Sequence, residues 1–356
     1  MHKNGLTTQI LHSDRQQPIE HGAVHKPMHP SSQYIYGDAR ELAAVFQAKA
    51  GYTYSRQGTP TTGALEAKIT LIEEGVGTVT FASGMAALTA VFTTLLKGGD
   101  HLISSKYVFG NTTSLLGTMA DLGVEVSYVD ATDIAQVRAA LRPNTRMVFT
   151  ETIANPGTQI ADLKGMGEFC REHGLVYMVD NTLTSPSLFK PRDVGAGLVM
   201  NSLSKYIAGH GHALGGSITD TGLYDWSNYP NIAEPYRKGQ PTGWGLLQIK
   251  KKGLRDMGGT LAAEPAHRIA VGAETLALRM EKHCSNALAL ARFLQAHRGV
   301  AKVHYPGMPG HAQHARATEL FGGRYGGLMG IELAEGIDCF DFLNRLHVVL
   351  LATHLG

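Results

Sequence analysis

The fold of this chain is decided by the stretch Leu198-Val199-Met200-Asn201-Ser202-Leu203-Ser204-Lys205-Tyr206. A short apolar run of strand type is followed there by hydroxyl side chains and a lysine. In open α/β sheets, ligands bind outside the carboxyl ends of the strands, where these polar residues fall. A lysine amine has an ordinary pKa of about 10.4 and is seldom buried without a chemical reason. The stretch therefore predicts a buried strand that ends at a ligand site containing Lys205.

On the N-terminal side of this stretch, short β-branched runs alternate with longer amphipathic segments. Such alternation predicts an α/β fold with a mostly parallel sheet covered by helices on both faces. The predicted strands cover residues 78–81, 101–104, 124–129, 147–150 and 175–179. The predicted helices cover residues 84–96, 112–122, 133–141 and 163–173.

The chain divides into three predicted parts. Residues 1–60 are rich in His, Pro, Ser and Tyr and are interpreted as an irregular N-terminal arm. Residues 61–298 form the large α/β domain, which ends in a connecting helix predicted over residues 274–296. Residues 299–356 form a smaller C-terminal α/β domain with strands predicted at 300–304 and 327–333. Its last apolar run, residues 348–352, is followed by only four residues, so this domain is expected to be incomplete.

Composition places the protein in an ordinary globular class. Of its 356 residues, 43% are hydrophobic and 17% are charged, which excludes a disordered chain. The net charge of +2 offers no electrostatic surface for nucleic acid or an anionic membrane. No window approaches the ~20 continuous apolar residues that span a bilayer, and the polar start has no signal-peptide core. Three scattered cysteines predict free thiols and a cytoplasmic location.

A second polar feature, Ser83-Gly84-Met85, lies between a predicted strand and the start of a helix. Unpaired backbone N–H groups and the helix dipole make such a position suitable for a phosphate. Gly84 allows a close approach, and Ser202 and Ser204 can add hydroxyl donors. The alternative interpretation is a helix N-cap at Ser83 and a tight turn at Gly84, and the tripeptide alone leaves both open.

Lys205 and Asp180 have complementary chemistry. A lysine amine beside a buried strand suits Schiff-base formation. Asp180 closes a predicted strand, and an aspartate keeps a pyridinium nitrogen protonated so that the ring withdraws electrons. Taken singly, Asp180 is equally typical of a helix cap and Lys205 of an exposed loop. Together, at strand ends, they favour a pyridoxal 5′-phosphate (PLP) site.

Two other classes of protein are alternatives. An NAD-dependent oxidoreductase has the same α/β pattern. However, Gly209-His-Gly211-His-Ala-Leu-Gly215-Gly216 has the wrong spacing for G-x-G-x-x-G and opens no evident helix, so NAD is rejected. The second alternative is an inactive scaffold without a cofactor. No metal site is expected, because the histidine pairs 210/212 and 311/314 lack a third ligand.

The site residues resemble the Cys/Met-metabolism family of PLP enzymes. This family includes cystathionine γ-synthase, cystathionine lyases, methionine γ-lyase and the acylhomoserine sulfhydrylases. The resemblance extends over essentially the whole chain. The motifs that carry it are Tyr54-Ser55-Arg56-Gln57-Gly58-Thr59-Pro60-Thr61, Ser83-Gly84-Met85-Ala86-Ala87, Glu151-Thr152-Ile153-Ala154-Asn155-Pro156, Val179-Asp180-Asn181-Thr182, Ser202-Leu203-Ser204-Lys205-Tyr206 and Leu278-Arg279-Met280-Glu281-Lys282-His283-Cys284.

The resemblance implies a fold-type I aminotransferase-like architecture with PLP bound to Lys205 as an imine and Asp180 at its ring nitrogen. It also implies a homotetramer of two intimate dimers, in which the N-terminal arm makes inter-subunit contacts. Tyr54 and Arg56 are implied to bind the phosphate in the neighbouring subunit, a role that suits arginine because its guanidinium binds phosphate through two bonds. Asn155 is implied to lie near the cofactor and the substrate carboxylate.

The chain departs from the family pattern near the substrate. Phe109-Gly110 stands where the family has Tyr-Gly, so the residue implied to stack on the ring lacks the hydroxyl that assists proton transfer to the leaving group. Tyr107 is a displaced alternative. His354 replaces a serine and is either an acid–base group at the site or a hydrogen-bonded structural histidine. The family's arginine for the substrate α-carboxylate has no counterpart before residue 356.

These features predict γ-elimination or γ-replacement on a γ-substituted amino acid, with Lys205 removing the α proton. The missing tyrosine hydroxyl favours substrates whose leaving group needs little protonation. That preference indicates O-acylhomoserine, the substrate of an acylhomoserine sulfhydrylase or a cystathionine γ-synthase. The alternative is a γ-lyase that acts on methionine, cystathionine or a non-sulfur analogue such as canavanine.

Overall fold

A computed structural model describes residues 5–15, 19–47 and 51–356 of the chain. Its strands are β1 (Gly77–Phe81), β2 (His101–Ser105), β3 (Glu125–Val129), β4 (Thr145–Glu151), β5 (Val176–Asp180), β6 (Leu198–Asn201), β7 (Gly216–Asp220), β8 (Val300–His304) and β9 (Gly330–Leu333). Its α-helices are α1 (Leu6–His12), α2 (Ala39–Phe46), α3 (Pro60–Ile72), α4 (Gly84–Leu95), α5 (Gly110–Asp121), α6 (Ile134–Ala139), α7 (Leu163–His173), α8 (Ser185–Leu188), α9 (Trp244–Gln248), α10 (Ala263–Ala273), α11 (Leu276–Gln295), α12 (His314–Phe321) and α13 (Cys339–Asn344). A π-helix covers Ile249–Asp256.

Seven strands form one sheet in the order β1-β7-β6-β5-β4-β2-β3, and β8 and β9 form a separate antiparallel pair. Strands β6, β5, β4, β2 and β3 are parallel, whereas β7 runs antiparallel between β1 and β6. The mostly parallel α/β fold predicted from the alternating pattern is confirmed. The carboxyl ends of β4, β5 and β6 lie side by side, with Glu151 the register partner of Asp180.

Strand β5 shows why the sheet needs continuous apolar runs. Val176 and Met178 lie in the same buried cluster as the apolar side chains of α4. Tyr177 and Val179, which alternate with them, lie in a second cluster with those of α7. Because successive side chains of a strand point to opposite faces, a sheet covered on both sides requires every position to be apolar. Asp180, the last residue of β5, lies beyond this packing, at the carboxyl-terminal end of the strand.

Strand β7 is not indicated by the sequence, because only Ile218 in it is a large apolar residue. All five of its residues are nevertheless buried. The hydroxyl oxygens of Thr219 and Thr78 on β1 lie 2.8 Å apart. Asp220 accepts the backbone N–H of Gly222 at 2.8 Å and the indole N–H of Trp226 at 3.3 Å. Internal hydrogen bonds of this kind allow a polar strand to lie in the interior of the sheet.

The N-terminal sixty residues are not irregular throughout, and that prediction is wrong in part. Helices α1 and α2 form there, and Ile10 on α1 is fully buried in the core. Asp38 caps α2 by accepting the backbone N–H of Arg40 at 2.7 Å. Near the other end, residues 348–352 form neither helix nor strand. The division of the chain at residues 60 and 298 stays a prediction.

No helix in the described ranges is long and apolar enough to cross a membrane.

Candidate active site

A pocket of about 740 Å³ opens at the carboxyl ends of β4, β5 and β6. Much of the pocket wall is apolar and includes Leu88, Ile153, Leu183, Met200, Leu214 and Leu328. Tyr54 and Arg56 lie outside this lining. The predicted site residues that the pocket brings together are Ser83, Gly84, Met85, Phe109, Asn155, Asp180, Ser202, Ser204, Lys205 and His354.

One end of the pocket is the N-terminus of helix α4. The Ser83 hydroxyl caps this helix by accepting a backbone N–H of the first turn at 3.1 Å, so the N-cap interpretation is correct. The N–H groups of Gly84 and Met85 precede any intrahelical acceptor. A Cβ atom on Gly84 would lie 2.8 Å from Met200 Cε and 3.0 Å from Ser202 Cβ. Glycine is therefore required here by the packing of α4 against the end of β6. The free N–H groups of the helix N-terminus are what fits a phosphate group.

The two serines near this helix differ in their surroundings. Ser202 donates its backbone N–H to Thr182 Oγ1 at 2.8 Å, and its hydroxyl oxygen lies beside Gly84. The Ser204 hydroxyl donates to the Gly215 carbonyl at 3.2 Å and accepts the Gly215 N–H at 2.9 Å. Ser204 is thus engaged with a loop of the chain itself, and its predicted role as a phosphate donor stays a prediction.

Lys205 is half-buried on the turn that follows β6. Its backbone N–H donates to the Ser202 carbonyl at 3.2 Å, which fixes the turn. Burial lowers the pKa of the Lys205 amine. A lowered pKa increases the fraction of unprotonated amine near neutral pH, which is the form that attacks a carbonyl carbon.

Opposite the helix, two carboxyl groups end neighbouring strands. Asp180 accepts the Thr182 N–H at 2.9 Å, and burial raises its pKa to about 6. Glu151 accepts the Phe109 N–H at 2.6 Å, and burial together with the charge of Asp180 raises its pKa well above the ordinary value. Glu151 was not predicted as a site residue. The sequence could have indicated it, because Glu151 ends the apolar run of β4 just as Asp180 ends that of β5.

Phe109 is the aromatic residue of the pocket. It is the N-cap residue of α5, and its side chain is 45% exposed. The suggestion that Tyr107 replaces the missing hydroxyl is wrong, because its hydroxyl donates to the Asp130 carboxylate at 2.7 Å, outside the pocket lining. None of the described residues that line the pocket is a tyrosine.

The last residues of the sequence lie against the pocket. His354 is exposed and lines it, while Leu355 packs against the core. A Cβ atom on Gly356 would lie 2.9 Å from the carbonyl oxygen of Lys205. The pocket therefore combines residues from the sheet domain with the last residues of the described chain, Ala352 to Leu355.

Tyr54 and Arg56 lie next to the π-helix. The Arg56 guanidinium lies 5.4 Å from the centre of the Tyr54 ring and donates to the Arg255 carbonyl at 2.5 Å. Tyr54 is 42% exposed. Both side chains are thus placed away from the pocket formed by their own chain.

Comparisons with known proteins agree with this arrangement. A sequence model of the family described as "Cys/Met metabolism PLP-dependent enzyme" matches residues 7–356. The chain is 34% identical over 360 residues to an L-methionine γ-lyase of Fusobacterium nucleatum subsp. polymorphum, covering 99% of this chain and 85% of the relative. It is 32% identical over 352 residues to an O-acetyl-L-homoserine sulfhydrylase of Leptospira meyeri, covering 93% of this chain and 80% of the relative.

A crystal structure from Campylobacter jejuni matches the fold with a TM-score of 0.92 and 27% sequence identity. It covers 99% of this chain and 91% of its own, and is provisionally named an O-acetylhomoserine (thiol)-lyase. That protein contains N′-pyridoxyl-lysine-5′-monophosphate.

Proposed function

The chain belongs to the family of Cys/Met-metabolism PLP-dependent enzymes, and we propose on this premise that its substrate is an O-acylhomoserine whose acyl group is replaced by a sulfur nucleophile. Membership of the family makes it a PLP enzyme of elimination and replacement at the γ carbon of an amino acid, a transferase or a lyase. The rejected NAD alternative is thereby excluded.

The observation that carries the choice of substrate is Phe109, the aromatic residue of the pocket, which has no hydroxyl, and no described pocket residue of the same chain is a tyrosine. Tyr54 of the neighbouring subunit is assigned below to the phosphate and not to the leaving group. A carboxylate leaving group has a pKa of about 4, close to that of an aspartate or glutamate side chain. A thiol leaving group has a pKa of about 8.5. The acyl ester therefore departs without a proton donor, whereas a thioether benefits from one.

Two groups that line the pocket suit PLP. The free N–H groups at the N-terminus of α4 suit the phosphate, and the Asp180 carboxyl suits the ring nitrogen. When bound, PLP supplies an electrophilic aldehyde carbon and an electron-withdrawing ring. We assign phosphate binding to the N–H groups of Gly84 and Met85 with Ser202, and stacking on the ring to Phe109.

Lys205 is the proposed catalytic residue. Its amine attaches the cofactor and, once displaced by the substrate amine, removes the proton at the substrate Cα. The lowered pKa of Lys205 leaves more of the amine in the basic form required for that step. Asn155 and His354 are proposed to bind the substrate, because both line the pocket beside Lys205.

A substrate panel tests the proposed function. Purified enzyme is expected to process O-acetylhomoserine with sulfide or a thiol about 100-fold more efficiently, as kcat/KM, than methionine, cystathionine or canavanine, since general acid assistance contributes 10²–10⁴-fold. Release of keto acid and ammonia and formation of thioether are measured in parallel, which separates elimination from replacement.

The Phe109→Tyr variant is the matched control, because it restores the hydroxyl and should narrow the preference by raising the rates on thioethers. Equal rates of the wild-type enzyme on methionine and on O-acetylhomoserine would instead establish a γ-lyase. That alternative is supported by the likeness to the Fusobacterium L-methionine γ-lyase.

We further propose a homotetramer of two dimers in which Tyr54 and Arg56 complete the phosphate site of the neighbouring subunit. The proposal is supported by their exposure outside the pocket of their own chain. We also propose a cytoplasmic location, because Cys170, Cys284 and Cys339 are free thiols and so suit a reducing compartment.

Mixing two variants at a PLP concentration that leaves Arg56→Ala largely unloaded tests the shared site. Arg56→Ala is expected to weaken PLP binding by about 10- to 150-fold, the value of a charge-assisted hydrogen bond. If Arg56 binds phosphate in the neighbouring subunit, refolding the Arg56→Ala protein together with the Lys205→Ala protein regenerates sites that contain both Arg56 and Lys205. In an equimolar mixture about a quarter of the sites are then complete, as expected for two-fold symmetry. No recovery of activity above the parent variants would show that Arg56 does not act across the interface.

A further inference from the structure

Glu151 lies beside the pocket but has no part in the functions described so far. Its side chain is 8% exposed at the end of β4, and it is the register partner of Asp180 on β5. Its Oε1 accepts the backbone N–H of Phe109 at 2.6 Å. One buried carboxyl group thus lies beside the residue proposed for the ring nitrogen and holds the residue proposed for the ring face.

Two carboxyl groups on paired positions of adjacent strands, one buried and one half-buried, are not both ionised at small cost. Asp180 accepts the Thr182 N–H and needs its charge for a pyridinium, and its pKa is raised only to about 6 by burial. Burial and the Asp180 charge raise the pKa of Glu151 further, well above its ordinary value. One of the two neighbouring carboxyl groups is therefore expected to hold a proton, and Asp180 is the one whose charge the ring nitrogen requires.

The other titratable side chains around Glu151 do not alter this assignment. Tyr107 lines a small second cavity that Glu151 also borders, but its hydroxyl donates to Asp130. Lys205 and His354 line the same pocket as Glu151, and among the described residues neither lies within 4.0 Å of its carboxylate as an ion-pair partner.

We propose that Glu151 is a positioning residue that remains a neutral carboxylic acid, which holds Phe109 by its backbone and leaves Asp180 as the single anion for the ring nitrogen. The proposal rests on the roles given above to Asp180 and Phe109. It concerns a side chain of the protein itself, so the first of its two tests needs no cofactor.

The first test compares thermal unfolding of the cofactor-free wild-type protein and the Glu151→Gln variant across pH. An acid with a raised pKa binds more protons in the folded state than in the unfolded state, so stability falls as pH rises between the two pKa values. Glutamine removes this titration. We therefore expect the Tm of the wild-type protein to fall further than that of Glu151→Gln as pH rises above about 4.3, the ordinary pKa of a glutamate.

Glu168→Gln, which changes an exposed acid on α7, is the matched control and should follow the wild-type curve. Parallel curves for the wild-type protein and Glu151→Gln would overturn the proposal, because Glu151 would then be ionised throughout. The outcome does not depend on the enzyme's substrate or on the imine lysine.

The second test measures the dissociation constant of PLP and the circular dichroism of its visible band. Glu151→Gln keeps an oxygen for the Phe109 N–H and should bind PLP within about threefold of the wild-type protein. Glu151→Ala leaves that N–H without an acceptor and should weaken binding about tenfold with an altered visible band. Equal weakening by both variants, or none by alanine, would contradict a neutral positioning residue. Should the alanine variant not fold, the pH curves of Glu151→Gln decide.

Discussion

Replacing Lys205 by alanine is expected to abolish the visible absorbance band of the PLP-loaded protein and to lower kcat/KM by at least about 10⁴-fold. The band requires a covalent bond between the cofactor and a lysine amine, and alanine cannot form it. The same substitution removes the base for the α proton, and proton transfer by a positioned side chain alone contributes 10²–10⁴-fold. Two functions are lost together, so the effect on turnover exceeds that of any other single change in the pocket.

The fold of this variant should be retained. Lys205 is half-buried, and truncation of such a side chain away from a core costs within about 0.5 kcal/mol. Lys282→Ala, which alters an exposed lysine on α11, is the control for the loss of a positive charge and should keep both band and activity. A Lys205→Ala protein that still shows the band would place the covalent bond at a different lysine.

The second large effect is expected for Asp180→Asn, which should lower kcat/KM by about 10²–10⁴-fold while PLP remains bound. Asparagine keeps an oxygen to accept the Thr182 N–H, so the local structure is preserved. An amide, unlike a carboxylate, does not hold a proton on the ring nitrogen, and the ring then withdraws electrons less strongly. Asp180→Glu, which retains the charge, should recover part of the activity.

A pH dependence follows from the same carboxyl group. Because the pKa of Asp180 is raised to about 6, PLP affinity of the wild-type protein should fall as pH decreases through that value and the anion is lost. In Asp180→Asn the affinity should be lower and its decrease toward acid pH smaller, because only the titration of the PLP phosphate, whose second pKa is about 6, remains. Fluorescence titration with PLP measures both curves. A wild-type affinity that stays constant down to pH 4.5 would contradict the role of Asp180 at the ring nitrogen.

The parallel strands could be predicted because their information is local. In β5 every position from Val176 to Val179 is apolar, which is required wherever both faces of a strand are covered. The same locality explains the prediction of Asp180 and Lys205, since a polar residue that follows such a run can be recognised in the sequence alone. The helix cap at Ser83 could also be predicted from local sequence alone.

What could not be predicted depends on partners distant in the sequence. Strand β7 is stabilised by Thr78 and Trp226, and nothing within β7 itself indicates them. The hydrogen bonds of the Ser204 hydroxyl could not be predicted either, because their partner Gly215 lies eleven residues further on. Glu151 was missed because the predicted strand ended at residue 150, one residue early. With that boundary Glu151 is a loop residue, whereas in the structure it is the last residue of β4 and pairs with Asp180.

The position of β7 also determines how this sheet must be completed during synthesis. Strand β1 lies at the edge of the seven-stranded sheet and, among the described strands, pairs only with β7, about 140 residues later in the chain. At a translation rate of about 5–20 residues per second, β1 is exposed to other chains for on the order of 10–30 s before its partner leaves the ribosome. An unpaired strand edge is a template for aggregation. Slower translation between the two strands should therefore lower the yield of native protein, whereas slower translation after β7 should not.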